Sequence, residues 1–376
     1  MRRRATTCVI ALAGLCIAAS QARGQGGEVT PAIFHGFGGW AYGKTSNNNY
    51  LSGLPIGNYR TASMALSFAA PVSDKLEVYA QGGISEDEDE SETTLSYAFA
   101  EYKVSDRFSF RVGHVKHPFG IYTEVFTVGT LRPFLDLPQG FYGPVGFAGQ
   151  AYNGVGVAGS KDIGAWSAAY DLYAGGNTLD KLHVQEEFYH SVVAQNSGEE
   201  AELQSTRNVV GGRLVLHTPV RGLSVGSSAY TGTLDEPAAN RRTVVAGQLE
   251  FRSNRWTLES EVGHLDQVDD ERATGGYALA AFRLTPEWQV GAQYDYLKNV
   301  FHGVNPSAAP SLQFHREGAV ALSYWVSRSL VIKGEYHLVN GNRFAIPNSE
   351  ALVSTIGAGQ LRGVTHLIQF GAQFSF

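Results

Sequence analysis

The chain's last stretch, THLIQFGAQFSF (Thr365 to Phe376), decides how the rest is read. Ile368, Phe370, Ala372, Phe374 and Phe376 fall on one side of an extended chain, and Gln369, Gly371, Gln373 and Ser375 on the other. A period of two is that of a strand with one apolar and one polar face. A soluble sandwich turns its polar face to bulk water and rarely stops on an aromatic residue. In a transmembrane barrel the aromatics meet lipid and the Gln, Ser and Gly line a wet interior. The last strand is then expected to pair with the first, because an open edge leaves backbone N–H and C=O groups without partners in hydrocarbon.

The other end reads as an export signal. Arg2, Arg3 and Arg4 precede the apolar run CVIALAGLCIAA (Cys8 to Ala19), and small residues follow at Ser20, Ala22 and Gly24. Residues 1–24 are expected to be a cleaved signal peptide, 25–32 a short periplasmic segment and 33–376 the barrel. Both cysteines lie in the signal, which removes disulfides, thiolate metal centres and a cysteine nucleophile from the mature chain. Cleavage after Gly24 takes Arg2, Arg3, Arg4 and Arg23 from the 29 basic residues and none of the 35 acidic ones, leaving a net charge of about −10. A nucleic-acid-binding surface is not expected from that balance. No later run approaches the ~20 apolar residues of a spanning helix, whereas a barrel strand needs only alternate residues to be apolar.

From Ile33 the chain repeats one unit of strand, short turn, strand and longer polar connection. The short turns are PVSDK (Pro71 to Lys75), SDR (Ser105 to Arg107), SKDIG (Ser160 to Gly164), TPVRG (Thr218 to Gly222), SNR (Ser253 to Arg255), TPE (Thr285 to Glu287) and SRS (Ser327 to Ser329). Longer connections fall at 44–58, 85–92, 118–150, 175–206, 232–240, 266–272, 299–312 and 341–363. Seven turns alternating with eight loops join about sixteen strands, with both termini on the turn side. The fold class expected is all-β, a closed antiparallel transmembrane barrel whose third loop folds inward.

The clearest strands show the two faces. Leu330, Ile332, Tyr336 and Leu338 oppose Lys333, Glu335 and His337; Trp256, Leu258 and Val262 oppose Glu259 and Glu261; Trp288, Val290, Tyr294 and Tyr296 oppose Gln289, Gln293 and Asp295. So many inward charges are expected to need a water-filled lumen. Phe108, Trp166, Trp256, Trp288 and Tyr324 sit beside the turns, where an aromatic girdle belongs. The fourth, sixth and ninth strands alternate poorly, so their facing stays open. The third loop, PFGIYTEVFTVGTLRPFLDLPQGFYGPVGFAGQ (Pro118 to Gln150), is too apolar and aromatic for a solvated surface loop and is expected to pack against the inside of the wall.

In strand number, turn-side termini, terminal Phe376 and the long loop after strand five, the mature chain resembles the Gram-negative outer-membrane porins. The segment RVGHVKHPFG (Arg111 to Gly120) looks like its counterpart in porins of the phosphate-selective O/P type. The resemblance implies a water-filled channel for passive diffusion of small hydrophilic solutes and ions, narrowed by the third loop, in a homotrimer embedded in outer-membrane lipid and lipopolysaccharide. A phosphate-selective pore should carry a Lys or Arg ladder. Here Arg107, Arg213, Arg283 and Lys333 are mixed with Glu101, Glu259, Glu261, Asp295, Glu317 and Glu335.

The candidate constriction consists of Arg111, Lys116, Glu124, Arg132 and Asp136, where loop acids facing wall bases would set a transverse field. The alternative is that these charges pair locally and hold the loop down. Phe119, Tyr122, Phe126, Phe134, Phe141 and Tyr142 are the candidate aromatic lining of a substrate-specific channel for a sugar or an anion. A non-conducting surface receptor or adhesin is the reading from another class. SEDEDESE (Ser85 to Glu92) reads as a solvated external loop whose carboxylates suit divalent cations.

Two motif matches fail on context. GGWAYGKT (Gly38 to Thr45) fits the phosphate-loop pattern, and GVGVAG (Gly154 to Gly159) the dinucleotide fingerprint, but neither opens a helix. The glycines of the second are expected to make room for the packed loop. His114 and His117 lie three apart on a strand and so on opposite faces. No nucleophile elbow is present, and neither an enzyme, a cofactor nor a metal is expected.

Overall fold

The protein is described by a computed structural model covering residues 32–87, 90–105, 107–143, 147, 149–178, 205–234, 241–268, 271–301, 313–347 and 362–376. Residues 1–24, expected to be a signal peptide, and most of the expected segment 25–32 lie outside the described residues. Sixteen strands form the wall: β1 (Ile33–Thr45), β2 (Asn58–Pro71), β3 (Leu76–Asp87), β4 (Glu90–Ser105), β5 (Phe108–Lys116), β6 (Ala151–Ile163), β7 (Trp166–Thr178), β8 (Ser205–His217), β9 (Leu223–Leu234), β10 (Arg241–Arg252), β11 (Trp256–Gln267), β12 (Glu271–Arg283), β13 (Trp288–Phe301), β14 (Phe314–Ser327), β15 (Leu330–Asn340) and β16 (Val364–Ser375).

Each strand pairs antiparallel with its sequence neighbours, and β1 pairs with β16 in the register Phe37↔Ser375 to Tyr42↔Phe370. Phe376 and Gly36 exchange two backbone hydrogen bonds, 2.8 and 2.9 Å, at the end of that seam. The barrel is closed, as the alternation in the last strand requires. Ile368 and Phe370 are 59% and 49% exposed on the outside, whereas Gln369 between them is 1% exposed. Indole and phenol rings collect outside the short turns: Trp256 packs on Phe282 with centroids 4.6 Å apart, and Trp288 on Tyr324 at 4.7 Å.

Where alternation fails in the sequence, a bulge accounts for one case. In β4 the pairing steps from Gln81↔Tyr97 to Gly82↔Leu95, so Ser96 is an extra residue and resets which face the following residues take. The acidic run 85–92, expected as a loop, lies largely within a tight hairpin, since β3 runs to Asp87 and β4 starts at Glu90. Both motif decoys lie in strands, Gly38–Thr45 within β1 and Gly154–Gly159 within β6. The β6 glycines correct one expectation: a Cβ on Gly156 would strike the Tyr152 hydroxyl, and one on Gly154 or Gly159 the carbonyl of Ala174 or Arg107, so they make room for neighbouring parts of the wall and not for the loop.

Candidate functional site

Residues 117–150 leave β5 and return to β6 after bonding to inward-facing groups around most of the wall. The segment begins at His117, wholly buried, whose Nδ1 lies 3.1 Å from the Gly149 carbonyl and whose Nε2 lies 2.6 Å from the Tyr173 hydroxyl. A carbonyl can only accept, so Nδ1 carries the proton and Nε2 accepts from Tyr173. Next, Gly120 N–H donates to Ser228 Oγ (3.2 Å) and Ile121 N–H to Glu261 Oε1 (2.9 Å). The Tyr122 hydroxyl donates to Glu259 and the Tyr142 hydroxyl to Glu261, which also accepts from Tyr277 at 2.8 Å. Burial first, and then the facing carboxylate, holds the Tyr122 and Tyr142 phenols well above their ordinary pKa, so both stay protonated donors.

The segment then crosses to the opposite wall. Gln81 Nε2 of β3 donates to Thr127 Oγ1 (2.9 Å). Lys333 Nζ of β15 lies among the carbonyls of Gly129 (3.1 Å), Arg132 (2.7 Å) and Phe134 (3.0 Å) and Gln373 Oε1 (2.6 Å). Three ammonium protons are shared among four acceptors, and Lys333 is 1% exposed. Leu135 N–H donates to Glu335 Oε1 (2.6 Å), Gln139 N–H to Asp295 Oδ2 (3.0 Å), and Gln369 Nε2 to Asp136 Oδ2 (2.8 Å). The wall is cut back beneath this path. A Cβ on Gly263 would meet Phe141 and Phe147, one on Gly291 would meet Phe134, one on Gly371 would meet Leu135, and one on Gly275 would run into the Gly140 carbonyl.

These contacts correct the expectation that the inward charges need a water-filled lumen. Glu259, Glu261, Asp295, Glu317, Glu335 and Lys333 are each at most 5% exposed, and their partners include loop hydroxyls, loop amides and loop carbonyls. Carboxylates opposite otherwise unpaired N–H groups replace water as acceptors, which is what permits irregular backbone inside a barrel. Converting both loop tyrosines to phenylalanine (Tyr122→Phe with Tyr142→Phe) is therefore expected to cost on the order of 2–5 kcal/mol, since each loses a charge-assisted hydrogen bond in a buried site. Urea unfolding of the detergent-folded barrel measures it; an unchanged midpoint would mean that the phenols hold nothing down.

The candidate residues fall into two groups. Arg132 and Asp136 belong to the anchored half: the Arg132 guanidinium donates to the Leu135 carbonyl at 2.7 Å and sits beside the Lys333 contacts. Arg111, Lys116 and Glu124 belong to a second place. There Arg111 bonds Glu101 (2.7 Å) and Asp171 (3.4 Å), Arg213 bonds Asp171 (3.0 Å) and the Glu124 carboxylate, and Lys116 bonds the Glu124 carbonyl. A cavity of about 490 Å³ lies against this chain of ion pairs, bounded by Lys103, Ser105, Ser109, Tyr170 and Glu124 among others. Glu124 is its most open carboxylate, with 32% of its side chain exposed against 12% for Glu101 and 11% for Asp171. Of the aromatic candidates, Phe119, Tyr122, Phe134 and Phe141 are 0–2% exposed and present no free face to a solute. Phe126 and Tyr142 are half-buried.

Sequence reading missed Asp171 and the partnership of Arg213 with Glu124. It also missed the segment after β1, where Tyr50 bonds Glu317 and Ser52 accepts from Gln369 at 2.7 Å. The only sequence signal was one buried aromatic within a run of Asn, Ser and Gly.

No family model matches the sequence, and no curated protein is similar to it at a significant level. Solved structures are similar in fold. The outer-membrane channel DcaP of Acinetobacter baumannii superposes with a TM-score of 0.59 over 92% of this chain and 97% of its own, at 10% identity. The fold is one shared with outer-membrane channels. OmpF of Salmonella typhi, solved as a complex with daunomycin, gives 0.57 over 92% and 97%, and the anion-selective porin of Comamonas acidovorans gives 0.56 over 92% and 99%, each at 10% identity.

Proposed function

We propose that this barrel is an outer-membrane porin, a passive channel for small hydrophilic solutes and ions whose narrowest part lies between Glu124 and the facing wall. The observation that carries the reading is the charged cavity beside Glu124, next to the packed cluster of Phe119, Tyr122, Phe134, Phe141 and Phe147. Residues 117–150 fill one side of a sixteen-stranded barrel, and the passage is left to the sector of β4 to β8. A barrel of this strand number is wide enough for an aqueous channel only where nothing fills it.

The ion-pair chain Glu101, Arg111, Asp171, Arg213 and Glu124 sets the expected preference. Three carboxylates are met by two guanidinium groups and the Lys116 ammonium, which bonds the Glu124 carbonyl, so the cluster as a whole balances and the charge most open to solvent is the Glu124 carboxylate. The neighbouring pair Lys103 and Glu77, 3.2 Å apart, cancels itself. A cation preference follows, supported by the acidic balance of the whole chain and opposite to that named for the porin of Comamonas acidovorans.

Single-channel recording of the refolded protein across a salt gradient tests this. The wild type is expected to show discrete steps with a reversal potential on the cation side, and Glu124→Lys to move it toward or past zero by exchanging one negative for one positive charge. Absence of steps from a folded barrel would overturn the channel reading, and an unmoved reversal potential in Glu124→Lys would overturn the assignment of the aperture.

A further inference from the structure

A second polar cluster, wholly enclosed, lies across the inner faces of β13, β14 and β15, and transport of solutes gives it no task. Asp295 stands opposite Glu317 in the β13–β14 register, and His315 precedes Glu317 by two residues on the same face. Asp295 and His315 are 0% exposed and Glu317 is 2%. One ligand atom from each falls within 4.8 Å of the others. His315 Nε2 is 2.7 Å from Asp295 Oδ1 and 3.3 Å from Glu317 Oε2.

Those separations have the length of hydrogen bonds without the alignment. Neither ring nitrogen of His315 has a hydrogen-bond partner of acceptable geometry, and neither does Asp295 Oδ1. The imidazole and the carboxylate oxygen lie as close as an ion pair, yet neither gains an aligned hydrogen bond from the other.

The remaining atoms are already committed. Asp295 Oδ2 accepts from Gln139 N–H (3.0 Å) and Glu317 Oε1 is bonded to His337 Nδ1, while the Tyr50 hydroxyl donates to Glu317 Oε2 itself and leaves that oxygen one lone pair for a ligand bond. His337 Nε2 in turn reaches Glu335 Oε2 at 3.1 Å. Outer partners that fix the orientation of ligating carboxylates are the ordinary surroundings of a metal ion.

We propose that Asp295 Oδ1, His315 Nε2 and Glu317 Oε2 bind one divalent transition-metal ion of the zinc type. One nitrogen and two carboxylate oxygens form a donor set that zinc accepts. Bonds of ~2.0–2.2 Å in a tetrahedral site set ligand atoms about 3.3 Å apart. The His315–Glu317 separation already has that value. The His315–Asp295 pair must open by roughly half an ångström to admit the ion. The ion would join β13 to β14 and, through Gln139 and Tyr50, fasten both inward segments to one point of the wall.

The site is closed, so the full mature chain is refolded with Co²⁺ present, freed of loose metal, and read by visible absorption and metal content. About one Co²⁺ per chain with ligand-field bands in the visible range is expected, displaced by Zn²⁺. His315→Ala and Asp295→Asn are each expected to lower the bound metal at least about tenfold, the loss typical of a missing ligand or its support. His264→Ala, on the outside against Thr274, is expected to leave it unchanged. Heat-modifiable mobility in gels confirms that each variant is folded, and Asp295→Asn keeps the test decisive where His315→Ala fails to fold. A folded wild type without stoichiometric metal, or undiminished binding in folded His315→Ala or Asp295→Asn, overturns the proposal.

Discussion

Lys333→Met is expected to release the middle of the inward segment and raise single-channel conductance roughly two- to threefold, because the width of the constriction governs flux. The Lys333 ammonium group bonds the carbonyls of Gly129, Arg132 and Phe134 together, and it holds Gln373 as well. Methionine fills nearly the same volume but donates nothing. The Arg132 and Phe134 carbonyls would then be buried without their donor, at a cost of about 1–3 kcal/mol each if they stayed in place, while Gly129 keeps the Arg132 N–H. Lifting the segment toward water is the cheaper outcome. The wall itself loses no ladder hydrogen bond, so the barrel should still fold and migrate as a folded species. Recording in planar bilayers measures the change; a folded variant with unaltered conductance and unaltered noise would show that residues 129–134 do not bound the passage.

Gly275→Val tests the same segment by volume instead of charge. Gly275 faces inward from β12, and a Cβ there would strike the Gly140 carbonyl, with Leu297 Cδ1 only 2.7 Å away. Valine suits a strand, so the wall should accept it. What cannot stay is the helical turn Gln139–Tyr142, which would lose its approach to Tyr296 and the bonds to Asp295 and Glu261. Overpacking of this kind costs roughly 1–3 kcal/mol in a well-packed core, and here the strain is relieved by displacing the turn. Larger and more variable conductance with a lower unfolding midpoint is the expected result. Gly318→Val serves as the control, since nothing lies within 4 Å of a Cβ at that position. Equal behaviour of the two variants would dismiss the idea that glycines at 263, 275, 291 and 371 are the track on which the segment lies.

Both variants turn on a distinction between fold and site. Alternation in strands such as β11, β15 and β16 gave their facing residue by residue: Lys333, Glu335 and His337 are inside, and Ile332, Tyr336 and Leu338 face outward. The reason is geometric, since a strand has two faces and a closed wall offers each only one environment. Turn chemistry likewise marked the hairpins, and an even strand number with sealed ends followed from the need to pair every backbone edge. The site was less legible. Arg213 and Glu124 are 89 residues apart and Lys333 and Arg132 are 201 apart, and no local pattern ties one member of such a pair to the other.

The same limit explains why the inward charges were read as solvated. From the sequence alone, Glu259, Glu261, Asp295 and Glu335 on one face can mean water, because a charge without water normally needs an opposite charge. Beside the basic groups Arg252, His315 and His337, their partners are Tyr122, Tyr142 and the amides of Ile121, Leu135 and Gln139, neutral donors that any loop possesses and that carry no sequence mark of their own. The sequence by itself determined a closed sixteen-stranded wall with an apolar outside, because period-two alternation and edge pairing are local requirements of a strand in lipid. Only the tertiary structure decided which lumen charges are buried as anchors and which stay open beside Glu124, because that depends on where a long loop finds acceptors for its unpaired amides.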